Sequence, residues 1–317
     1  MAIQVSVITC TYNPRYEYLT RVVDALRIQS LERNRWEYIV VDNASNTRLE
    51  RELSLSWHPY ARIVREDALG LTPARLRGIA ESRGQVLVFL DDDNVPDADY
   101  LEQVLAVADE WPVIGAWGGQ TIPEFERPPA DWTRRYWGIL AVRTFESDAW
   151  SNQSHVAQSM PSGAGLCVRR AVAHRYVELH ATGRRGLALD RKGDSLVSGG
   201  DVDLASTACD MGFGVGVFVK LKITHILPAF RLSEPYLLRL VEGVAYSGVI
   251  LDSYRHPPRP AARWSTHVAN FLRLFLMGRR RRRFHRAFQR GEKRALAELN
   301  ASNRSTFVET ATPRVRI

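Results

Sequence analysis

Three consecutive carboxylates, Asp91, Asp92 and Asp93, follow directly on the apolar run Val86-Leu-Val-Phe-Leu90. A run that short and that apolar predicts a strand buried on both faces, as in a parallel sheet. In open α/β sheets, ligands collect beyond the carboxyl ends of such strands. Adjacent aspartates repel one another unless a cation joins them, so the pattern points to a divalent metal. The plainer alternative is an acidic turn ahead of a helix, with Asp97 as N-cap and Asp99 in the first turn. That accounts for Asp97 and Asp99 and leaves the three acids at the strand tip unexplained. Two further acids, Asp201 and Asp203 in Gly199-Gly-Asp-Val-Asp-Leu204, fall at the start of a predicted helix, where ordinary N-capping also explains them. His225 follows the alternating run Phe213 to Ile223; a lone histidine at a strand end is more often structural than a ligand.

The elements that must position these residues are legible from periodicity. Ile3 to Thr11 predicts a first buried strand, closed by Tyr12-Asn13-Pro14, and Tyr16 to Ser30 has helical spacing at Leu19, Val22, Val23 and Leu26. Glu37 to Val41 predicts a second strand ending in Asp42-Asn43, followed by a helical segment at Arg48 to Leu55 and a short strand at Ala61 to Arg65. Thr72-Pro73 predicts an N-cap and first-turn proline opening a helix through Ile79, and Asp97 to Trp111 predicts another. Strand alternating with helix predicts right-handed βαβ units and a mostly parallel sheet flanked by helices. The tips at Thr9 to Thr11, Asp42 and Asp91 to Asp93 then share one edge. From Val113 the pattern changes to glycine-bearing strands (Ile114 to Ile122, Ser162 to Val168) around an irregular stretch with Trp132, Trp137 and Trp150. These tryptophans either line a pocket or cover the sheet. Helices are predicted from Arg169 to His180 and from Ser233 to about Tyr254. The expected division is a catalytic domain over 1–256, in halves 1–112 and 113–256, and a helical basic extension over 257–317.

Charge supports that division. Residues 257–317 hold 15 Lys/Arg against 3 Asp/Glu, whereas the rest holds 28 against 32, so a slightly acidic body carries a strongly basic tail. After Pro257, Pro258 and Pro260, a stiff linker, Trp264, Val268, Phe271, Leu272 and Phe275 share one helical face. Arg279 to Arg283 follow in one block, then Phe284 and Phe288. The apolar stretch is too short to cross a bilayer. An apolar face beside a polybasic cluster predicts a helix over 264–290 lying on an anionic membrane surface; docking onto the body and binding nucleic acid are the alternatives. Cys10, Cys167 and Cys209 lack zinc-ligand spacing and are expected to be reduced core residues in a cytosolic setting. A strand starting at Ile3 leaves no room for a signal peptide, an expectation that matches a cytoplasmic protein.

The ordered set Val7-Ile-Thr-Cys-Thr-Tyr-Asn13, Ile39-Val-Val-Asp-Asn-Ala-Ser45, Gly70-Leu-Thr-Pro-Ala-Arg75, Phe89-Leu-Asp-Asp-Asp-Asn94, Gly199-Gly-Asp201 and Thr224-His225 resembles family 2 glycosyltransferases of the GT-A fold. The likeness spans about residues 3–227. The stretch Gly193 to Asp201, with Arg231-Leu and Pro235 to Leu240, further resembles bacterial polysaccharide-assembly members. The resemblance implies that Thr9, Tyr12 and Asp42 frame the nucleotide of a UDP-, GDP- or TDP-sugar donor, that Arg75 steadies this pocket and that Asp92 reaches the ribose. It implies that Asp93, with Asp91 nearby, holds Mg²⁺ or Mn²⁺ on the diphosphate, that His225 occupies a position that ligates metal in some members, and that Asp201 is the base. It also implies one inverting displacement onto an acceptor hydroxyl. The basic tail adds the expectation of a glycan or lipid-linked acceptor at the cytoplasmic face of the inner membrane, and no nucleic acid is expected as a partner. Two positions depart from the pattern: Gly200 stands where many members carry Glu, and Leu76 where Asn often follows the Arg. The first leaves Asp203 open as an alternative base. No Gln-x-x-Arg-Trp motif of processive members is present.

Rival readings are an aspartyl phosphatase, with Asp91 as nucleophile, Lys192 and a late acidic pair, and a non-enzymatic adaptor acting through the basic tail. A calcium loop is excluded, because Pro96 stands where the required glycine belongs.

Overall fold

The computed structural model describes residues 2–187, 189–191, 195–256 and 277–311, with side chains described as far as 301. In chain order the elements are β1 (Val5–Thr11), α1 (Tyr16–Arg27), β2 (Trp36–Asn43), β3 (Ala61–Glu66), α2 (Leu71–Glu81), β4 (Val86–Phe89), β5 (Asn94–Pro96) and α3 (Tyr100–Glu110). There follow β6 (Ile114–Phe125), β7 (Ala149–Ser151), β8 (Leu166–Arg169), α4 (Arg170–Ala181), α5 (Gly200–Asp210), β9 (Gly214–Leu227), α6 (Glu234–Ser253) and α7 (Arg279–Ala311). The chain divides into two compact units, one formed by Met1–Asp194 with Gly200–Ser233 and the other by Ser195–Gly199 with Glu234–Ile317.

The first unit is built on one sheet in the order β3-β2-β1-β4-β8-β6-β9-β5, with β7 added to β9. The first four strands in this order are parallel, as the strand–helix alternation predicts. β8 then runs antiparallel to both β4 and β6, and the second half of the sheet is mixed. The near-continuous apolar runs have a direct cause. β4 sends Val86 and Val88, with Leu90 beyond its end, into one hydrophobic cluster, and Leu87 and Phe89 into the cluster on the opposite face. β1 splits Val5 and Val7 from Ile8 in the same way. Burying each such side chain contributes about 1.5–3 kcal/mol. The run Val86 to Leu90 therefore offsets a cost of several kcal/mol per ion for taking the tip carboxylates out of water.

Several local expectations are corrected. α3 starts at Tyr100 with Asp99 as N-cap, and Asp97 contributes only its carbonyl, which accepts from Tyr100 N at 3.0 Å. α2 starts at Leu71 with Gly70 as N-cap, because the Thr72 hydroxyl donates to a charged acceptor, Asp190, at 2.8 Å instead of capping. Arg48 to Leu55 holds only a single 3-10 turn, Leu49–Arg51. β9 continues to Leu227, so His225 lies inside the strand and not beyond its end. Trp137 packs on Phe125 of β6 with ring centroids 4.9 Å apart, a covering role.

The second unit contains α6 and α7, which run parallel: Glu234 pairs with Arg280 and Arg283, Glu242 with Arg290, and Tyr246 with Glu298. Phe284, Ala287 and Ala295 are buried at helical spacing, and a Cβ at Gly291 would collide with the Glu242 carbonyl. Phe284 is thus committed to the helix pair and is not part of an outward apolar face, while Phe288 is exposed. Trp264 to Phe275 and the proline linker lie outside the described residues. Among the described residues, no helix is long and apolar enough to cross a membrane.

Candidate active site

The parallel register sets the site. Thr11 of β1 lies beside Asp42 of β2, and Ile8 beside Phe89 of β4, so the tips of all three strands meet at one edge. Just past the tips of β1 and β2 the backbone turns left-handed at Asn13 (φ 47°) and Ala44 (φ 59°). Such residues carry strain that surrounding bonds must hold. Here Asn13 N donates to Ser45 Oγ at 2.9 Å and Asn46 N to Asn13 Oδ1 at 2.8 Å. Asp42 is fully buried; its carboxylate accepts from Ser45 N at 3.0 Å and Arg65 Nη1 at 2.7 Å. Burial works against its charge, yet Ser45 and Arg65 hold it below the ordinary carboxylate range. Tyr12 is 47% exposed, leaving its ring free to meet a planar group. Thr9 lies beneath this surface, fully buried, with its hydroxyl accepting from Tyr38 Oη at 3.3 Å.

The three tip aspartates have different surroundings. Asp92 accepts from the Thr11 hydroxyl, and burial together with Asp93 pushes its pKa up to about 7. Burial, then Asp93, also raises Asp91. Asp93 is held well down, because Arg231 and His225 outweigh its burial. Arg231 Nη1 lies 2.9 Å from Asp93 Oδ2, and His225 Nε2 lies 3.6 Å from Oδ1. β5 and β9 make this meeting: Asn94 stands opposite His225, and Ile226 N donates to Asp93 O at 2.9 Å.

Asp201 and Asp203 separate cleanly. Asp203 is buried and paired with Arg185 Nε at 2.8 Å. Asp201 is half-buried, and its Oδ2 accepts from Gly163 N at 2.7 Å. Two residues on, Gly165 N donates to Phe89 O at 3.1 Å, which brings the loop holding Asp201 to the end of β4. Arg75 is buried and donates to Asp190 at 3.0 and 3.1 Å. Burial works against its charge, but Asp190 and then Asp201 hold its pKa above the ordinary range. The sequence pattern gave no sign of Asp190, and it pointed to Arg65 not at all. Arg231 carried only a weak signal, the Arg-Leu pair after β9. Of the residues the phosphatase reading needs, Lys192 lies outside the described residues and Asp203 is taken by Arg185.

Among the described residues, no group of three or more His, Cys, Asp or Glu side chains is arranged to hold a metal. The residue types nonetheless fit Mg²⁺ or Mn²⁺, which bind through one or two carboxylates and complete their shell with substrate phosphates. Asp93 and Asp91 supply hard oxygens, and among the described residues the buried Nδ1 of His225 has no hydrogen-bond partner.

A parallel half-sheet with acids at its carboxyl edge, joined to a mixed half, is the GT-A fold. Residues 1–349 of S. aureus TarS in complex with UDP-GlcNAc superpose with a TM-score of 0.52 at 15% identity, over 87% of this chain and 74% of that one. GalNAc-T7 with UDP, GalNAc and Mn²⁺ superposes with a TM-score of 0.51 at 17% identity, over 80% of this chain and 50% of that one. Residues 6–163 match the family model for glycosyl transferase family 2, and the chain belongs to that family. Glycosyltransferase AglE of Haloferax volcanii is 31% identical over 102 residues, 31% of this chain and 33% of the relative. The match therefore spans about a third of that relative's length.

Proposed function

We propose that the protein is an inverting glycosyltransferase that moves one sugar from a nucleotide diphosphate to a hydroxyl of a glycan or lipid-linked acceptor, in surface-polysaccharide synthesis. The observation that carries this is the strand-tip acid cluster, where Asp93 is paired with Arg231 while burial and Asp93 push Asp91 and Asp92 upward, so a cation arriving there would relieve both. The family match and the nucleotide-sugar complexes of fold neighbours support the donor class.

Tyr12 and Asp42 frame the nucleotide, with Thr9 supporting the wall from below, and Asp92 reaches the ribose. Mg²⁺ or Mn²⁺, held by Asp93, Asp91 and His225, supplies neutralising charge to the leaving diphosphate when bound. Asp201 takes the acceptor hydroxyl's proton as the new oxygen–carbon bond forms at the anomeric carbon. The bond to the diphosphate breaks in the same displacement, and the nucleotide diphosphate leaves with the electron pair. The pairing of Asp203 with Arg185 favours Asp201 for this role. Arg279 to Arg283 of α7 support peripheral attachment to an anionic cytoplasmic membrane surface, for which cosedimentation with anionic vesicles is the check.

Calorimetry with UDP-, GDP- and TDP-sugars in the presence of Mn²⁺ tests the reading. Cation-dependent uptake of one donor is expected; uptake of none overturns it. Asp201→Asn is expected to keep donor binding and lower transfer by about 10²–10⁴-fold. Near-normal turnover in that variant would remove Asp201 from the base role.

A further inference from the structure

Asp190 belongs to none of the motifs that mark the site, yet two separate helices, α2 and α5, converge on its carboxylate. Arg75 Nη1 donates to Oδ1 at 3.1 Å and to Oδ2 at 3.0 Å, and Thr72 Oγ1 donates to Oδ2 at 2.8 Å. Asp190 and Arg75 are each only 5% exposed. Both donors come from α2; the other helix contributes the first turn of α5. A Cβ built on Gly200 would lie 2.5 Å from Asp190 Cγ and 2.6 Å from its Oδ1, so the carboxylate fills the space a side chain at 200 needs. Gly200 N also donates to Leu189 O at 3.2 Å, tying the same segment to α5 through the backbone. The next residue along α5 is Asp201.

We propose that Asp190 is a positioning residue for transfer: it fixes the start of α5, and with it Asp201, relative to Arg75 and the strand tips. The glycine at 200 follows, since any side chain there displaces Asp190. Arg75 explains why the charge matters. Its next acidic neighbour after Asp190 is Asp201 itself. Without the Asp190 charge, the buried guanidinium is left to Asp201 and then Asp91, and pairing with Asp201 draws the base from the acceptor. A displacement of about 1 Å among reacting groups costs on the order of 100-fold in rate.

The proposal rests on the transfer reaction set out above, with Asp201 as base. It is tested by measuring kcat and donor KM for the sugar nucleotide that calorimetry identifies, with circular dichroism to confirm folding. Gly200→Ala keeps every charge and crowds Asp190 by one methyl group; Asp190→Asn keeps the shape and removes the charge. Each is expected to lower kcat by about 100-fold while donor KM stays within about threefold, the pattern of an interaction lost in the transition state alone. Asp190→Gly combined with Gly200→Asp, which returns a carboxylate to the same space from the other side, is expected to recover about tenfold of that loss. Wild-type kcat in Gly200→Ala, or a loss confined to donor KM, overturns the proposal and leaves the transfer reading intact; this variant decides even where Asp190→Asn does not fold. Failure of the wild-type protein to bind any UDP-, GDP- or TDP-sugar overturns both together.

Discussion

Strands β1, β2 and β4 carry buried polar groups at both ends, and the two ends treat them differently. At the amino ends, Glu37 is fully buried and both of its carboxylate oxygens accept from the chain. Ser6 Oγ donates at 2.7 Å, Arg62 Nη1 at 2.8 Å and Arg83 N at 2.5 Å, while Gly84 N completes the set by donating to Ser6 Oγ at 2.8 Å. At the carboxyl ends, three acids stand in a row, two of them pushed up by burial and by their neighbour Asp93, beside a histidine nitrogen with no partner among the described residues. A buried acid whose partners all come from its own chain is architecture. One whose charge exceeds its partners is built for something that arrives from outside.

Substitutions at the two ends should therefore separate activity from stability. Asp91→Asn removes a carboxylate whose charge burial and Asp93 disfavour, and it is expected to lower kcat/KM by about 10³-fold, roughly 4 kcal/mol of transition-state stabilisation, with urea unfolding little changed. Glu37→Ala is expected to do the reverse. It leaves Arg62, Arg83 N and Ser6 without their acceptor and costs about 3–5 kcal/mol in urea, with turnover per folded molecule retained. Equal loss of turnover in both folded variants would erase the distinction. Within α5 the same contrast recurs over two residues. Asp203→Asn breaks a buried pair with Arg185 and is expected to lower stability by about 3 kcal/mol while transfer continues, opposite in kind to Asp201→Asn.

What could be read in the sequence follows the range of the forces involved. The parallel half of the sheet was legible because strands buried on both faces must be apolar throughout, as Val86 to Leu90 are. The acids at Asp42, Asp91 to Asp93 and Asp201 were legible because types and spacing survive in a linear string. The direction of β8 was not, since one antiparallel strand of four residues leaves no periodic mark distinct from a parallel one. Nor was Asp190, whose partner Arg75 is 115 residues away. Its role depends on a missing Cβ at Gly200, and an absence has no local signature. Thr72 was misread for the same reason: capping is a local default, and a distant buried carboxylate outbid it.

His58 sharpens the contrast at the smallest scale, because it is a buried titratable group at the architectural end. It is 2% exposed, packs 4.1 Å from the Trp36 ring and 5.3 Å from that of Trp57, and accepts from Tyr60 N through Nδ1 at 3.1 Å. Burial first, and Arg33 second, push its pKa down to about 4. The folded protein therefore resists a proton that the unfolded chain accepts near pH 6.5. Stability present above pH 6.5 is lost as pH falls toward 4 and levels off below it. The expected loss is about 2–3 kcal/mol, read by tryptophan fluorescence in urea at pH 7, 5.5 and 4.5. Because the strand-tip acids titrate as well, the quantity to compare is the difference between wild type and His58→Phe, which removes this proton alone. That difference should shrink on acidification, while the pH profile of kcat is the same in both proteins. A difference that grows instead would mean that protonated His58 finds an acceptor in the folded state, and a changed kcat profile would mean that the two ends of the strands are coupled.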